Sequence, residues 1–176
     1  MSMVRTKKLV ALAIGAGLAL SACGSPSTQT STTTPSSPTP SPQQTATPAQ
    51  FASILSENQK VWRDYNANIV ACGIARVLGK STSDQIKVMT CGMTVVTVTL
   101  TAKNAIRDIV ALPKPSPEVK KLVDRAITDL TPLSNVDAVA ACKDANSEAC
   151  DEKETLVNGQ IRDVVSMLDA WAPYMR

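Results

Sequence analysis

Five cysteines are the residues best suited to chemistry in this sequence: Cys23, Cys72, Cys91, Cys142 and Cys150. A cysteine can act as a nucleophile, bind a metal ion, carry a lipid or form a disulfide. The sequence contains no histidine, which excludes Ser-His-Asp and Cys-His catalysis, histidine-ligated zinc or haem, and a histidine pH switch. Free catalytic thiols are therefore the least favoured use of these cysteines.

Acidic side chains offer little further chemistry. Asp144, Asn146 and Glu148 have the alternating spacing that opens an EF-hand calcium loop, but Ala149 stands where that loop needs glycine. A turn followed by a helix that begins with acidic residues is the better interpretation.

Two pairs of carboxylates could in principle serve acid/base hydrolysis: Asp124 with Asp129, and Asp163 with Asp169. Neither pair has the i, i+4 spacing that places two side chains side by side on one helix face. The sequence also lacks a glycine-rich phosphate loop and a nucleophile elbow. We therefore expect a protein that is not an enzyme and that has no cofactor and no metal site.

The N-terminus has the three parts of a secretory signal peptide. Arg5, Lys7 and Lys8 precede an uncharged apolar run over residues 9–20, and small residues follow it. The run is shorter than the roughly 20 apolar residues of an ordinary transmembrane helix. We expect a cleaved signal over residues 1–22.

The residues Leu20, Ser21, Ala22 and Cys23 sharpen this expectation because their order resembles the lipobox of bacterial lipoproteins. The resemblance implies cleavage before Cys23, acylation of its sulfur, and a lipid anchor in the cell membrane on the extracytoplasmic side. An ordinary cleaved signal with a chance cysteine is the alternative. Two or more acyl chains suffice for stable anchoring, and the compartment outside the cytoplasm permits disulfides.

Residues 24–50 have the composition of a disordered tether. They carry no charge, and Ser, Thr and Pro make up most of the segment. Such a stretch buries too little apolar surface to offset its ordering entropy. In an extended polyproline conformation it reaches at most about 80 Å. The tether, with the lipid attached at Cys23, spans residues 23–50 and resembles that of actinobacterial cell-envelope lipoproteins.

Residues 51–176 have helical apolar spacing almost throughout. Capping boxes predict helix starts at Thr47 and Ser81, and two further helices are predicted to begin near Ser116 and Ser147. Pro132 should break or kink the third helix, and a short piece should follow from Ser134. We expect an all-α domain, an up-down-up-down four-helix bundle with a kinked third arm.

Geometry favours one of the three possible pairings of the last four cysteines. Cys72 and Cys91 are nearly equidistant from the predicted turn between the first two helices, so they should face each other in an antiparallel pair. Cys142 and Cys150 flank a polar turn. We expect Cys72–Cys91 and Cys142–Cys150 disulfides. A metal site built from all four cysteines is the alternative, although structural zinc normally uses close cysteine pairs such as CxxC.

Two other groups of residues have both a structural and a functional interpretation. A threonine stripe on the second helix either is a solvated face or lines a polar groove. Four aromatic residues in or beside the first and last helices either pack in the core or mark a partner surface. The stripe includes Thr90, Thr94, Thr97 and Thr101, and the aromatic residues are Trp62, Tyr65, Trp171 and Tyr174.

The net charge of +3 disappears with the signal peptide, because Arg5, Lys7 and Lys8 account for all of it. A neutral mature chain argues against a nucleic-acid partner. The favoured hypothesis is a non-enzymatic binding or adaptor module that presents a helical face to another envelope protein. The alternative is a carrier or sensor that holds a small apolar ligand between its helices.

Overall fold

A computed structural model describes residues 45–175, which form an all-helical domain, as predicted. The signal peptide, Cys23 and most of the predicted tether lie outside these residues. The helices are α1 (Pro48–Leu78), α2 (Thr82–Ala111), α3 (Lys120–Ser134), α4 (Ala138–Ala141) and α5 (Glu148–Trp171), followed by a 3-10 turn at Ala172–Tyr174. Within the described range the only β-type pairing is an isolated bridge between Ala46 and Pro115.

Side-chain caps start three of the long helices where the sequence predicts. The Gln50 amide donates to Thr47 Oγ1 and the Thr47 amide donates to Gln50 Oε1. Ser81 and Asp84 make the same reciprocal pair. At the start of α5, the Cys150 amide donates to Ser147 Oγ over 3.2 Å. Each cap satisfies a backbone donor that the helix leaves open.

The third arm differs from its prediction at both ends. Residues after Ser116 first form a turn, and α3 begins at Lys120. Pro132 does not end the helix, which continues to Ser134. Proline removes one backbone donor, but so near the C-terminus few bonds remain to be lost. The short α4 begins after its N-cap Asp137, three residues later than the predicted Ser134.

Gly79 ends α1 for a reason other than a left-handed turn. Its φ is −74°, a value that any residue adopts. A β-carbon at this position would lie 2.2 Å from the Ala75 carbonyl oxygen and 2.4 Å from Asp84 Cβ. Glycine is therefore needed because the end of α1 and the first turn of α2 approach closely.

The long helices pack on one another around one core. α1 lies against α2 and α5, and α3 lies against α2 and α5. The largest fully buried side chains include Trp62, Trp171, Tyr65, Phe51 and Leu55. This arrangement buries the apolar stripe of each helix and leaves the outer faces of α1 and α2 to solvent.

The folded unit reaches back into the segment predicted as tether. Ala46 is buried, and its N–H donates to the carbonyl oxygen of Lys114 over 2.9 Å. Pro48 already belongs to α1. The N-terminal end of α1 is thus held beside the connection between α2 and α3.

Candidate functional site

The α1–α2 hairpin is cross-linked by the predicted disulfide between Cys72 and Cys91. The two Cα atoms are 5.9 Å apart, and both side chains are buried. The bridge is possible because both residues lie about the same distance from the turn and on the facing sides of antiparallel helices. The bridge fixes the position of α1 relative to α2 along their axes.

The second predicted disulfide, Cys142–Cys150, fastens the turn between α4 and α5, with Cα atoms 4.5 Å apart. This turn rests on α2 at Gly92. A β-carbon on Gly92 would lie 2.9 Å from Ala145 Cβ and 3.4 Å from Cys150 Sγ. Because Gly92 follows Cys91, the two bridges lie at the same end of the bundle.

Arg76 connects α1 to this end of the bundle. Its Nη1 donates to the carbonyl oxygen of Ala145 over 3.0 Å, and its Nη2 donates to Glu154 Oε2 over 2.5 Å. Its Nε lies 2.5 Å from Asp151 Oδ1. A guanidinium with several fixed donors suits such a junction, which holds α1, α5 and the disulfide-bonded turn together.

Tyr65 makes a second polar link between α1 and α5. Its hydroxyl donates to Asn158 Oδ1 over 2.6 Å. Burial raises the pKa of Tyr65 well above its ordinary value, and the negative charge of Glu154 raises it further, whereas Arg76 opposes the shift. The hydroxyl is therefore a structural donor and holds its proton at neutral pH.

A groove of about 410 Å³ runs along the outside between α1 and α2, and the Cys72–Cys91 bridge contributes to its lining. Three threonines of the predicted stripe also line it. Their hydroxyls donate to carbonyl oxygens one turn back in α2: Thr90 to Ile86, Thr94 to Thr90, and Thr97 to Met93. The groove therefore offers acceptor oxygens and apolar surface, with few free hydroxyl donors, and the charged side chains of Asp64 and Lys87 also line it. We call it the hairpin groove.

The aromatic residues serve mainly the core. Trp62 is buried, and its Nε1 donates to Thr101 Oγ1 over 2.9 Å. Trp171 packs near Phe51 and Tyr174, with ring centroids 6.4 Å and 5.8 Å away. Its buried Nε1 has no hydrogen-bond partner among the described residues. These contacts fit the core-packing interpretation of the aromatic residues.

The outer face of α2 carries an apolar ridge that the sequence analysis missed. We define the α2 ridge as Ile86, Met89, Met93, Val96 and Leu100, which recur at alternating intervals of three and four residues. Val96 is half-buried and the other four are 45% to 66% exposed. The spacing was visible in the sequence, but only the packing shows that this face has no neighbour among residues 45–175.

A second exposed apolar face lies near the end of α1. We call Val70, Ile74, Val77 and Leu78 the α1 stripe; these side chains are 55% to 80% exposed. Their spacing places them on one side of the helix, away from Cys72. By length and composition α2 would also suit a membrane span, but its inner face packs against α1, α3 and α5, as in the core helix of a globular domain.

Three of the four candidate acidic residues are engaged in ion pairs. Asp124 lies 2.6 Å from Lys120, Asp129 lies 3.2 Å from Arg125, and Asp169 lies 2.7 Å from Arg63. In the turn that resembles a calcium loop, Asp144 Oδ1 accepts from the Asn146 amide. Among residues 45–175, no three His, Cys, Asp or Glu side chains are grouped so that they could hold a metal ion.

All four cysteines of the described domain are thus used in disulfides, while Cys23, the predicted lipid attachment site, lies outside the described residues. One disulfide cross-links the α1–α2 hairpin and the other fastens the turn between α4 and α5. The α2 ridge, the α1 stripe and the hairpin groove lie on the surface. Comparisons with protein-family models, with curated proteins and with solved structures find no match to this chain.

Proposed function

We propose that this protein is a lipid-anchored cell-envelope protein, attached through Cys23 on the extracytoplasmic side of the membrane, that acts as a non-enzymatic binding or adaptor module. The lipobox resemblance and the uncharged Ser/Thr/Pro segment support the anchor and the tether. The two disulfides suit an oxidising compartment. An up-down-up-down order of the four long helices is part of this proposal, and the packing of α1 on both α2 and α5 supports it.

The α1 stripe is the observation that carries the binding role. Four large aliphatic side chains lie exposed on one helix face, on a helix whose opposite side packs in the core. Exposed apolar residues at i, i+4, i+7 and i+8 are typical of a face that receives a partner helix. We propose that this face binds an uncharged apolar surface of another envelope protein.

Polar groups that could serve catalysis already form hydrogen bonds or ion pairs within the domain, which supports a role without catalysis. The threonine hydroxyls of the hairpin groove donate to their own helix. The buried carboxylate Glu154 is bound by Arg76, and the pKa of Tyr65 is raised away from the range useful for a base.

Photo-crosslinking from Val77 in intact cells tests the binding role. The full chain carries a photoreactive amino acid at Val77, and a matched variant carries it at Lys121, an exposed position on α3. We expect a discrete adduct with another envelope protein from position 77 and none from position 121. Equal labelling from both positions would contradict the binding role of the α1 stripe.

Replacing Cys23 by serine tests the anchor separately. We expect the natural chain in the membrane fraction, with a mass that includes acyl groups, and the Cys23→Ser variant outside it. A natural chain that lacks acyl mass would contradict the lipid anchor and would leave the α1 stripe untouched.

The hairpin groove supports a second candidate, a carrier or sensor of a small apolar ligand. A volume of about 410 Å³ lies within the range of ligand pockets. Organic extraction of the purified chain followed by mass spectrometry should then find a stoichiometric lipophilic compound. Thr94→Trp, which fills the groove, should remove it, and an empty extract from the natural chain would exclude the carrier.

A further inference from the structure

The α2 ridge has the spacing of a helix-packing seam. Its residues recur at intervals of three, four, three and four, the repeat by which side chains of one helix enter holes on another. Between Ile86 and Leu100 the seam is about 21 Å long at 1.5 Å per residue. All five members are apolar and four are exposed, so the seam is complete but has no partner helix in the part of the chain that the structure describes.

Hollows flank the ridge on both sides. The hairpin groove lies on one side. On the other side, a hollow of about 370 Å³ lies between the ridge and residues 142–146, and a second of about 440 Å³ lies against residues 134–139. A ridge bordered by grooves is complementary to itself, because a two-fold axis can place each ridge in a groove of the other copy.

The charge pattern restricts what can cover the ridge. Residues 88–102 contain no charged side chain. A charged side chain placed on the ridge itself would lose its water and gain no opposite charge in return, so the part of the partner that lies on the ridge must be uncharged and apolar. Each hollow beside the ridge is lined by one lysine and one aspartate: Lys87 and Asp64, Lys103 and Asp137, Lys143 and Asp144. The same ridge on a second copy meets this requirement, and because the charges that line each hollow are balanced, the two copies meet no excess of charge of one sign.

The surface area that a stable interface must bury also favours a second copy of this chain. A stable interface buries about 800 Å² on each partner, which is more than one exposed helix face of this length can supply. The walls of the neighbouring hollows must also be covered, and a second copy that inserts its ridge there would do so.

We propose that the α2 ridge is a dimerisation surface on which a second copy of this chain packs, with its own ridge entering the hollows beside α2. Such a dimer leaves the α1 stripe of each copy outside the interface, because the stripe lies on a different helix and faces away from Cys72. The inference therefore does not depend on the partner proposed for that stripe.

Sedimentation of the purified full chain in detergent, over a wide range of protein concentration, tests the proposal. We expect a concentration-dependent dimer. Met93→Glu should weaken it at least about 100-fold, because it places like charges at the centre of the interface. Lys121→Glu, an exposed change on α3, should leave the dimer intact. Met93 is solvent-exposed, so Met93→Glu should fold, and an unchanged thermal unfolding curve will verify this.

A photoreactive amino acid at Met93, in the full chain in cells, identifies the occupant directly. An adduct with the mass of two copies, formed with a differently tagged copy, is the expected result. A chain that stays monomeric at every concentration, a dimer that Met93→Glu leaves unchanged, or an adduct with another protein would overturn the dimer. The last result would still agree with an adaptor role.

Discussion

Nη2 of Arg76 and Oε2 of Glu154 lie 2.5 Å apart, on α1 and α5, with only 17% and 6% of the two side chains exposed. This ion pair joins helices that are far apart in the sequence. Because both groups are largely removed from water, Glu154 depends on Arg76 for its charge to be balanced, whereas Arg76 also pairs with the more exposed Asp151.

Replacing Arg76 by methionine should therefore destabilise the domain strongly. The change leaves Glu154 buried without its cation, and we expect the free energy of unfolding to fall by about 3–5 kcal/mol. The double variant Arg76→Met, Glu154→Leu should recover most of this loss because no charge remains buried. Urea unfolding followed by circular dichroism measures both.

The exposed pair of Arg63 with Asp169 provides the control for that comparison. Asp169→Asn should cost less than about 1 kcal/mol, as is usual for surface ion pairs. An Arg76→Met variant that loses no more stability than Asp169→Asn would show that the buried pair does not hold α1 to α5.

Tyr65 should make the domain sensitive to alkaline pH. Its pKa in the folded chain is raised above its ordinary value, mainly by burial, so the folded state keeps a proton that the unfolded chain releases. Stability is therefore present below about pH 10, the ordinary tyrosine pKa, and decreases as the pH rises above it. Tyr65→Phe should flatten this decrease above about pH 10.

At neutral pH the same variant should lose only the hydrogen bond to Asn158, about 0.5–1.5 kcal/mol. Tyr174→Phe, at the exposed tyrosine, is the matched control. If the Tyr65→Phe variant and the natural chain lose stability equally at alkaline pH, Tyr65 is not the group responsible.

Gly92 and Gly159 should respond in opposite directions to replacement by alanine. At Gly92 the new β-carbon would meet Ala145 Cβ at 2.9 Å, and overpacking of this kind costs about 1–3 kcal/mol. At Gly159, inside α5, a β-carbon meets nothing within 4 Å, and alanine should stabilise the helix by about 0.4–1 kcal/mol. Thermal unfolding of both variants decides this; stabilisation of Gly92→Ala would contradict the close contact between α2 and the disulfide-bonded turn.

The two disulfides should contribute nearly equal stability although they close loops of different length. The sequence separations are 19 and 8 residues. Loop-closure entropy grows only with the logarithm of loop length, so each bridge should contribute about 3 kcal/mol. Unfolding of Cys72→Ala with Cys91→Ala, and of Cys142→Ala with Cys150→Ala, tests this; a difference above about 2 kcal/mol would require strain or contacts beyond loop closure.

Local chemistry made several features predictable. The caps at Thr47 and Ser81 depend on residues three positions apart, and the sequence shows both partners. The pairing of Cys72 with Cys91 follows from one turn between two antiparallel helices. In each case few residues lie between the groups that meet, so the neighbouring structure determines the outcome.

The features that sequence analysis missed depend on distant packing. Arg76 and Glu154 are 78 residues apart, and nothing local pairs them. On α2, both the face with Val95 and the face with Met93 are apolar. Only the placement of α3 and α5 decides that Val95 is buried and Met93 exposed. The break or kink predicted at Pro132 takes no account of its position: α3 continues through Pro132 to Ser134, where few backbone hydrogen bonds remain to be lost.

The two disulfides lie at one end of the bundle, whereas the chain enters at the other end, where the Ala46 N–H donates to the Lys114 carbonyl oxygen. A pulling force applied through the N-terminal segment would therefore act first on the end of the bundle that has no disulfide. It would break that hydrogen bond and peel the first turns of α1 away while the covalently linked end keeps its shape. Under tension, the first turns of α1 would thus unfold and could refold, while the α1 stripe and the α2 ridge keep their structure near the disulfides.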